Sequence, residues 1–311
     1  MPNQRALLLD SASLYFRAFF GVPEVIGPSG VPTNAVRGFL DMIASLAERG
    51  RPSHLVACWD NDWRPAFRVE AIPSYKAHRI AGTGDEELGG ETVPHALSVQ
   101  VPIIVDALVA LGIARVGIDG HEADDVIGTL ATLLRGEMPI DVVTGDRDLF
   151  QLVDDAFQVR VLYTARGGVR SPDIVDEAFL AEKYAVAGGA AYADMAVLRG
   201  DSSDGLPGVA GIGEKTAAKL IATYGTLAAL RAAVDGGDPA IKGAQRARLE
   251  AATAYLDVAP RVVDVVRDAT VPDIDLAAPT SVADPALMSR LAVEHGLTSS
   301  FDRVVTALRL A

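Results

Sequence analysis

Short apolar runs that each end in an acid recur along the first half of the chain. Residues 6–9 (Ala-Leu-Leu-Leu) close on Asp10, and residues 54–59 (His-Leu-Val-Ala-Cys-Trp) close on Asp60. Residues 114–118 deliver the chain to Glu122, Asp124 and Asp125, and residues 140–144 lead to Asp146 and Asp148. Such continuous runs read as strands buried on both faces, the kind found in parallel sheets. Residues 159–163 read as one more. Between the strands the spacing changes to that of helices, over 14–20, over 34–48 closed by Gly50, over 94–111, and from Val126 through Leu130 to Leu134. Strands alternating with helices predict right-handed βαβ units and an α/β fold, a mostly parallel sheet flanked by helices. Residues 21–32 form a turn-rich loop, and the glycine-rich, acidic stretch 82–92 reads as a mobile excursion. After Ser171-Pro172 the composition becomes alanine-rich and helical, which predicts a sheet domain over 1–171 and a helical domain over 172–311.

In an open parallel sheet the carboxyl ends of the strands share one edge, where ligand crevices form. One acid after one strand is ordinarily a turn residue or a helix cap; four such ends predict a site. The turn Gly200-Asp-Ser-Ser-Asp-Gly205 adds two more acids. The candidates are then Asp10, Asp60, Glu122, Asp124, Asp125, Asp146, Asp148, Asp201 and Asp204. Gathered together they would raise one another's pKa, and divalent metal relieves that. All-oxygen donors select Mg²⁺ or Mn²⁺ over zinc. The five histidines show no ligand spacing, and the single cysteine, Cys58, builds neither a thiolate site nor an internal disulfide, which fits a reducing cytoplasm. Two ions about 4 Å apart suit phosphodiester hydrolysis. On a helix Glu122 and Asp125 share a face while Asp124 is turned about 100° away, so Asp124 is placed to bridge two ions and Asp125 to act from behind or through water.

A net charge of −13 over 311 residues argues at first against a nucleic-acid partner. Setting aside the nine candidate acids, and Asp85, Glu86, Glu87 and Glu91 in the glycine-rich stretch, leaves acids and bases equal at 28 each. Global charge therefore decides nothing. No apolar run approaches the ~20 residues of a membrane span, and the N-terminal apolar stretch is too short for a signal peptide, so a cytoplasmic protein with no membrane partner is expected. Bases interleaved with aromatics at Arg64, Phe67-Arg68 and Tyr75-Lys76-Ala77-His78-Arg79 suit phosphate contact and base stacking. The stretch 208–219 fails as a Walker A loop, because Glu214 follows Gly213 and Lys215 comes one residue late. It reads better as a helix-hairpin-helix in which Gly211, Gly213, Lys215 and Thr216 meet a DNA phosphate, with carbonyls near Val209 and Ile212 holding a monovalent cation.

Six ordered motifs carry a family resemblance: Leu9-Asp10 with Leu14-Tyr-Phe-Arg17-Ala-Phe19; Trp59-Asp60; Phe67-Arg68 with Tyr75-Lys76 and Arg79; Glu122-Ala-Asp-Asp125; Thr144-Gly-Asp-Arg-Asp148; and Gly200-Asp-Ser-Ser-Asp204 running into Gly211-Ile-Gly213-Glu-Lys-Thr. Over residues 9–255 they resemble the 5′-nuclease (flap endonuclease, 5′-3′ exonuclease) family, which includes the N-terminal domain of bacterial DNA polymerase I. The resemblance implies a PIN-like sheet domain with an α-helical helix-three-turn-helix module. Because no polymerase region follows Ala311, a stand-alone member is expected. It also implies Asp10, Asp60, Glu122 and Asp124 around a first Mg²⁺ or Mn²⁺, and Asp146, Asp148 and Asp201 with Asp124 around a second. Asp125 and Asp204 match outer carboxylates, and the hairpin cation would be K⁺. Lys76 and Arg79 match catalytic cations at the base of an arch, about 73–95, that grip the scissile phosphate. Tyr75 matches a stacking residue, and Arg17 and Arg68 are DNA contacts. The activity implied is hydrolysis at DNA 5′ ends and 5′ flaps, on nicked or gapped duplex and RNA–DNA hybrid, by a monomer in DNA repair and replication. Three features depart from the family: 82–92 is acidic where arches are basic, Arg147 stands where lysine is common, and 185–194 lacks an expected proline. Two rival readings are a Toprim-like nucleic-acid enzyme, which needs neither the Asp10–Asp60 pair nor the hairpin, and a non-catalytic DNA-junction binder.

Overall fold

The computed structural model describes residues 4–80, 86–88 and 91–311. β1 (Ala6–Asp10) is followed by helices α1 (Ser11–Gly21) and α2 (Asn34–Gly50), then β2 (His54–Trp59) and the short helices α3 (Ala66–Ala71) and α4 (Ala77–Ile80). β3 (Glu86–Leu88) and β4 (Glu91–Val93) pair as an antiparallel hairpin apart from the main sheet. The rest of the expected excursion over 82–92 lies outside the described residues. Helices α5 (His95–Ser98) and α6 (Val101–Leu111), β5 (Ala114–Gly117), α7 (Ala123–Leu133), β6 (Ile140–Thr144), β7 (Val159–Tyr163) and β8 (Asp173–Val175) complete the sheet unit.

The sheet order is β5-β2-β1-β6-β7-β8, parallel throughout except for β8, which runs antiparallel to β7. β1 and β6 are buried at every position, as continuous apolar runs in a doubly covered sheet should be. The chain builds outward from β1 through β2 to β5, then returns to β6 on the other side. The switch point, where crevices open at strand ends, therefore lies between β1 and β6.

Alternation within each strand divides the core. Leu7, Leu9, Leu55 and Ala57 face one side, where α1, α2 and α6 pack; Leu8, Val56 and Cys58 face the other, where α7 packs. On that second side follow α8 (Glu177–Tyr184), α9 (Gly189–Arg199), α10 (Glu214–Tyr224), α11 (Leu227–Asp235), α12 (Gly243–Ala251) and α13 (Thr253–Val263). Their apolar faces, among them Tyr192, Met195, Ile221 and Leu256, are continuous with the sheet's core.

Three expectations are corrected. The boundary at 171/172 cuts off β8, which is hydrogen-bonded to β7. The last helices, α14 (Pro285–His295) and α15 (Thr298–Leu308), return to the first side, where Leu291, Phe301 and Val304 bury beside Phe39 and Leu108, so they belong with the sheet and not with the helical module. The span 94–111 is two helices, because Gln100 turns inward. Its Oε1 accepts the Ala35 amide at 2.7 Å, capping α2 from a distant segment. α2 itself closes on Arg51 in the left-handed conformation (φ 44°), one residue beyond the glycine. No helix among the described residues is long and apolar enough to cross a membrane.

Candidate metal centre

Four chain segments bring their acids to the switch point. Asp10 ends β1 and caps α1: Oδ1 accepts the Ser13 amide at 3.1 Å and Oδ2 accepts the Thr144 hydroxyl at 2.6 Å. The same Thr144 oxygen accepts the Asp146 amide at 2.8 Å, so β1 and β6 present their acids through one shared hydroxyl. Asp60, just past β2, accepts the Ala123 amide at 2.9 Å and so caps α7 across space. Asp124 sits in the first turn of α7, where the helix dipole favours an anion. Asp10, Asp60, Glu122, Asp124 and Asp146 line one cleft of about 360 Å³ together with Phe16, Lys76, Arg79 and Arg147. Two larger hollows, about 930 and 920 Å³, contain none of the nine acids.

The electrostatics separate these acids into two groups. Burial, then repulsion from Asp60 and Asp146, pushes Asp10 up to about 7 against the Thr144 hydrogen bond. Burial and then Asp146, Asp204 and Asp201 push Asp148 up to about 8. Asp60, Asp124 and Asp146 are raised in the same way, burial first; for Asp124 the next causes are Asp10, Asp146 and Glu122. These five are acids short of cations. Burial raises Glu122 as well, but there Lys76 and Arg68 pull against it, and the remaining acids are paired. Glu122 receives Lys76 Nζ at 2.8 Å, the Tyr75 hydroxyl at 2.8 Å and Arg68 Nη1 at 3.1 Å. Asp125 takes both Arg68 nitrogens, at 2.8 and 2.6 Å, and the Val266 amide at 2.9 Å. Asp204 pairs with Arg79 at 2.7 Å. Asp201 is held below the carboxylate range: burial would raise it, but the Ser203 hydroxyl and amide, then Arg199, outweigh that.

The residues fit divalent cations on this ground: five hard oxygen donors at one strand edge are pushed toward protonation by each other's charge, which bound cations would relieve. Among the described residues no three His, Cys, Asp or Glu side chains stand ready-made around one ion position. The cleft is a cation-seeking basin, not a closed cage.

Asp125, expected to act from behind or through water, lies off the cleft, with both its oxygens taken by Arg68 and backbone amides. Two expected DNA contacts are corrected. Arg68 is 2% exposed and cannot meet DNA; besides the two carboxylates it donates to the carbonyls of Val262 and Asp264, tying α3 and α7 to the end of α13. Tyr75, 3% exposed, is turned inward onto Glu122 and offers no face for stacking. An aromatic–basic run has the same composition whether its charges face solvent or buried acids, so the sequence could not separate the two. Arg17, half-buried, donates to the Ala165 carbonyl at 3.3 Å.

Lys76 and Arg79 line the cleft. Lys76 adopts a left-handed backbone (φ 49°), and its amide donates to the Asp204 carbonyl at 2.9 Å. The Ser74 hydroxyl donates to the Gly205 carbonyl at 2.7 Å, so the 201–205 turn is docked on the segment that carries both cations. Against burial, Glu122, Tyr75 and Asp204 hold Lys76 protonated. At the hairpin, Gly211, Gly213, Lys215 and Thr216 are all exposed at the start of α10, while Val209 and Ile212 anchor it as buried side chains. The Val209 carbonyl accepts the Ile212 amide at 2.9 Å, which closes the turn. Gly211 has φ +73°, and a Cβ there would meet the Arg248 guanidinium at 2.8 Å. Sequence reasoning missed Thr144, Arg199 and Arg248. Thr144 was legible as part of Thr-Gly-Asp; the two arginines carried no local signal.

A model of the 5′-3′ exonuclease N-terminal resolvase-like domain matches residues 5–185, and one of the 5′-3′ exonuclease C-terminal SAM fold matches residues 188–283. A 5′-3′ exonuclease of Streptomyces coelicolor is 57% identical over 97% of this chain and 99% of its own. One of Mycobacterium tuberculosis is 49% identical over 97% of each chain. DNA polymerase I of Mycobacterium tuberculosis is 42% identical over 84% of this chain but 27% of its own length. Among solved structures, the phage T5 D15 protein co-crystallised with metal ions superposes with TM-score 0.66 at 17% identity, over 98% of this chain and 99% of that one. The catalytic core of Rad2 in complex with DNA substrate gives 0.58 at 18%, over 98% and 93%. At such identities the likeness speaks for the fold.

Proposed function

The chain belongs to the 5′-3′ exonuclease family, and from that premise we propose a 5′-nuclease that hydrolyses DNA at 5′ ends and 5′ flap junctions in a two-metal cleft. The observation that carries this reading is the set of five cation-short carboxylates, Asp10, Asp60, Asp124, Asp146 and Asp148, at the switch point of the sheet. Asp10, Asp60 and Asp124 would hold one Mg²⁺ or Mn²⁺, and Asp146 and Asp148 with Asp124 the other; Glu122 and Asp201 reach the ions only by loosening their present partners. When bound, the ions supply activation of water at neutral pH and charge stabilisation at the departing oxygen.

The chain's own residues do the rest. Lys76 and Arg79 present positive charge at the cleft mouth, where a scissile phosphate needs neutralising. Glu122, flanked by Arg68, Tyr75 and Lys76, holds the Lys76 ammonium in place. Phe16 lines the cleft as an aromatic face on which a terminal base can stack. The exposed amides of Gly211 and Gly213, at the amino end of α10, receive a backbone phosphate, with Lys215 and Thr216 beside them and K⁺ at the Val209 and Ile212 carbonyls. The substrates are nicked, gapped or flapped duplex and RNA–DNA hybrid, cut by a cytoplasmic monomer.

Cleavage of a 5′-labelled flap duplex with Mg²⁺, with Mn²⁺ and in EDTA tests the reading. Metal-dependent product ending in a 5′-phosphate on the downstream strand is expected; no metal-dependent product from pure protein would sink it. The docked turn gives a second prediction. Gly205 has φ +73°, and a Cβ there would lie 2.1 Å from the Ser74 carbonyl oxygen. Gly205→Ala should therefore shift the turn off the Lys76 segment and lower the single-turnover rate about 10²-fold, the scale of an ångström-sized misplacement. An unchanged rate would mean that the docking does not position Lys76.

A further inference from the structure

Beside the acid cleft lies a second hollow of about 460 Å³, lined by Arg147, Arg199, Asp201 and Leu206 among others. Of its two guanidinium groups, Arg199 donates from Nε to the Gly200 carbonyl at 3.1 Å and from Nη1 to Glu214 at 3.3 Å, while Arg147 makes only long ion pairs among the described residues. The Arg199 side chain, at the end of α9, is 10% exposed, and that of Arg147 is 41% exposed. Both reach for the same two carboxylates. Arg147 stands 3.7 Å from Asp201 and 3.8 Å from Glu214; Arg199 stands 3.7 Å from Asp201 and 3.3 Å from Glu214. These separations are long against the ~2.8 Å of a charge-assisted hydrogen bond. Arg199 Nη2 and the Tyr192 hydroxyl are both buried; the hydroxyl lies against the guanidinium, but the two make no well-formed hydrogen bond, which leaves Nη2 incompletely bonded.

An arginine cannot shed its proton to escape burial, so an under-bonded guanidinium beside a hollow calls for an anion. Asp201 does not meet that need, since one of its oxygens is turned to Ser203 and the other stays 3.7 Å away. Glu214 meets it only in part. It is the first residue of α10, directly after the hairpin glycine Gly213, and its side chain is 40% exposed. Through its two arginines the hollow thus stands between the hairpin residue Glu214 and the acid cleft, which Arg147 also lines.

We propose that Arg147 and Arg199 form a subsite for a DNA backbone phosphodiester between the hairpin and the acid cleft, occupied by the Glu214 carboxylate until the phosphate displaces it. The inference rests on the 5′-nuclease reading and adds a contact to it. Arginine at both positions supplies forked donors that grip a phosphate through two oxygens, where lysine at 147 would offer a single point charge.

Equilibrium binding of a flapped duplex in EDTA, over a salt series, tests this without catalysis. Glu214→Gln should tighten binding about threefold to tenfold, because a competing anion is lost. Arg199→Gln should weaken it about tenfold and lower the salt slope by about one unit. Arg199 packs over Tyr192 and its substitution carries a folding risk; Glu214→Gln, on a partly exposed side chain, does not share it. In the double variant the gain from Glu214→Gln should disappear. No tightening in Glu214→Gln, or a gain that persists in full without Arg199 and so reflects charge at long range, overturns the proposal. Lys215→Ala is the control: it should lower the salt slope while leaving the response to Glu214→Gln intact. Absence of salt-dependent binding by the unaltered protein would instead overturn the nuclease reading itself. Comparing 5′-phosphate with 5′-hydroxyl ends separates a backbone from a terminal phosphate. An equal response to Glu214→Gln on both supports the backbone subsite; a response confined to 5′-phosphate ends overturns it.

Discussion

Asp124→Asn is expected to abolish cleavage and, in the absence of metal, to make the protein more stable. Asp124 occupies the first turn of α7 among Asp10, Asp146 and Glu122, and burial followed by those charges raises its pKa. Replacing the carboxylate with an amide removes the donor proposed to serve both ions. Loss of groups merely behind a metal ligand costs about 10–100-fold, so loss of the shared ligand should cost at least about 10²-fold in single-turnover rate. The same change relieves repulsion that only bound cations would otherwise relieve, so the melting temperature in EDTA should rise. Retained cleavage with an unchanged melting temperature would remove Asp124 from the centre of the site.

The pH dependence follows with a definite sign. Asp10 and Asp148 have an ordinary value of 3.8 and folded values of about 7 and about 8. Between pH 4 and 8 the folded, metal-free protein therefore binds more protons than the unfolded chain, and its stability must fall as pH rises. That fall should be visible between pH 5 and 8 in EDTA and largely vanish with saturating Mg²⁺ or Mn²⁺. A metal-free protein equally stable at pH 5 and pH 8 would mean that the acids do not repel one another as their packing implies.

The sheet and its edge were legible for a physical reason. Strands covered on both faces are mostly apolar, so β1, β2 and β6 announce themselves as runs even with Asp141 inside β6, and the acids that end them stand out against that background. Once the strands are parallel, their ends share an edge without further information. The hairpin was legible as well, because Gly211 and Gly213 flank one buried anchor, Ile212, and precede an N-terminal helical turn. What was not legible is what depends on contacts remote in sequence. Gln100 caps α2 across 65 residues, and α14 and α15 complete a core begun by Leu7 and Phe39; neither carries a local signature. The division of the acids was only half visible. Helical spacing separated Asp124 from Asp125, and the structure agrees that they face differently. The cations that neutralise Glu122 and Asp125, however, lie in a run that looks like a DNA-binding strip until its side chains are seen to point inward.

That inward turn makes Arg68→Met the sharpest test of the site's framework. Among the described residues Arg68 is the one cation paired with Asp125, and it shares Glu122 with Lys76. Methionine fills similar volume but leaves one carboxylate buried without a counter-charge and empties the donors to the Val262 and Asp264 carbonyls. Breaking a buried pair in this way typically costs about 3–5 kcal/mol, so a melting temperature lower by roughly 10 °C is expected. A residue that contacted DNA would behave differently: its loss would lower affinity and the salt slope while leaving stability alone. Arg68→Lys should rescue little, because one ammonium cannot span both Asp125 oxygens and Glu122 as the guanidinium fork does. Adding Asp125→Asn to Arg68→Met should recover part of the lost stability, because the stranded charge is what destabilises the single variant. If Arg68→Met melted normally but bound DNA with a reduced salt slope, Arg68 would be a DNA contact after all, and the acid–cation frame behind the cleft would need another keystone.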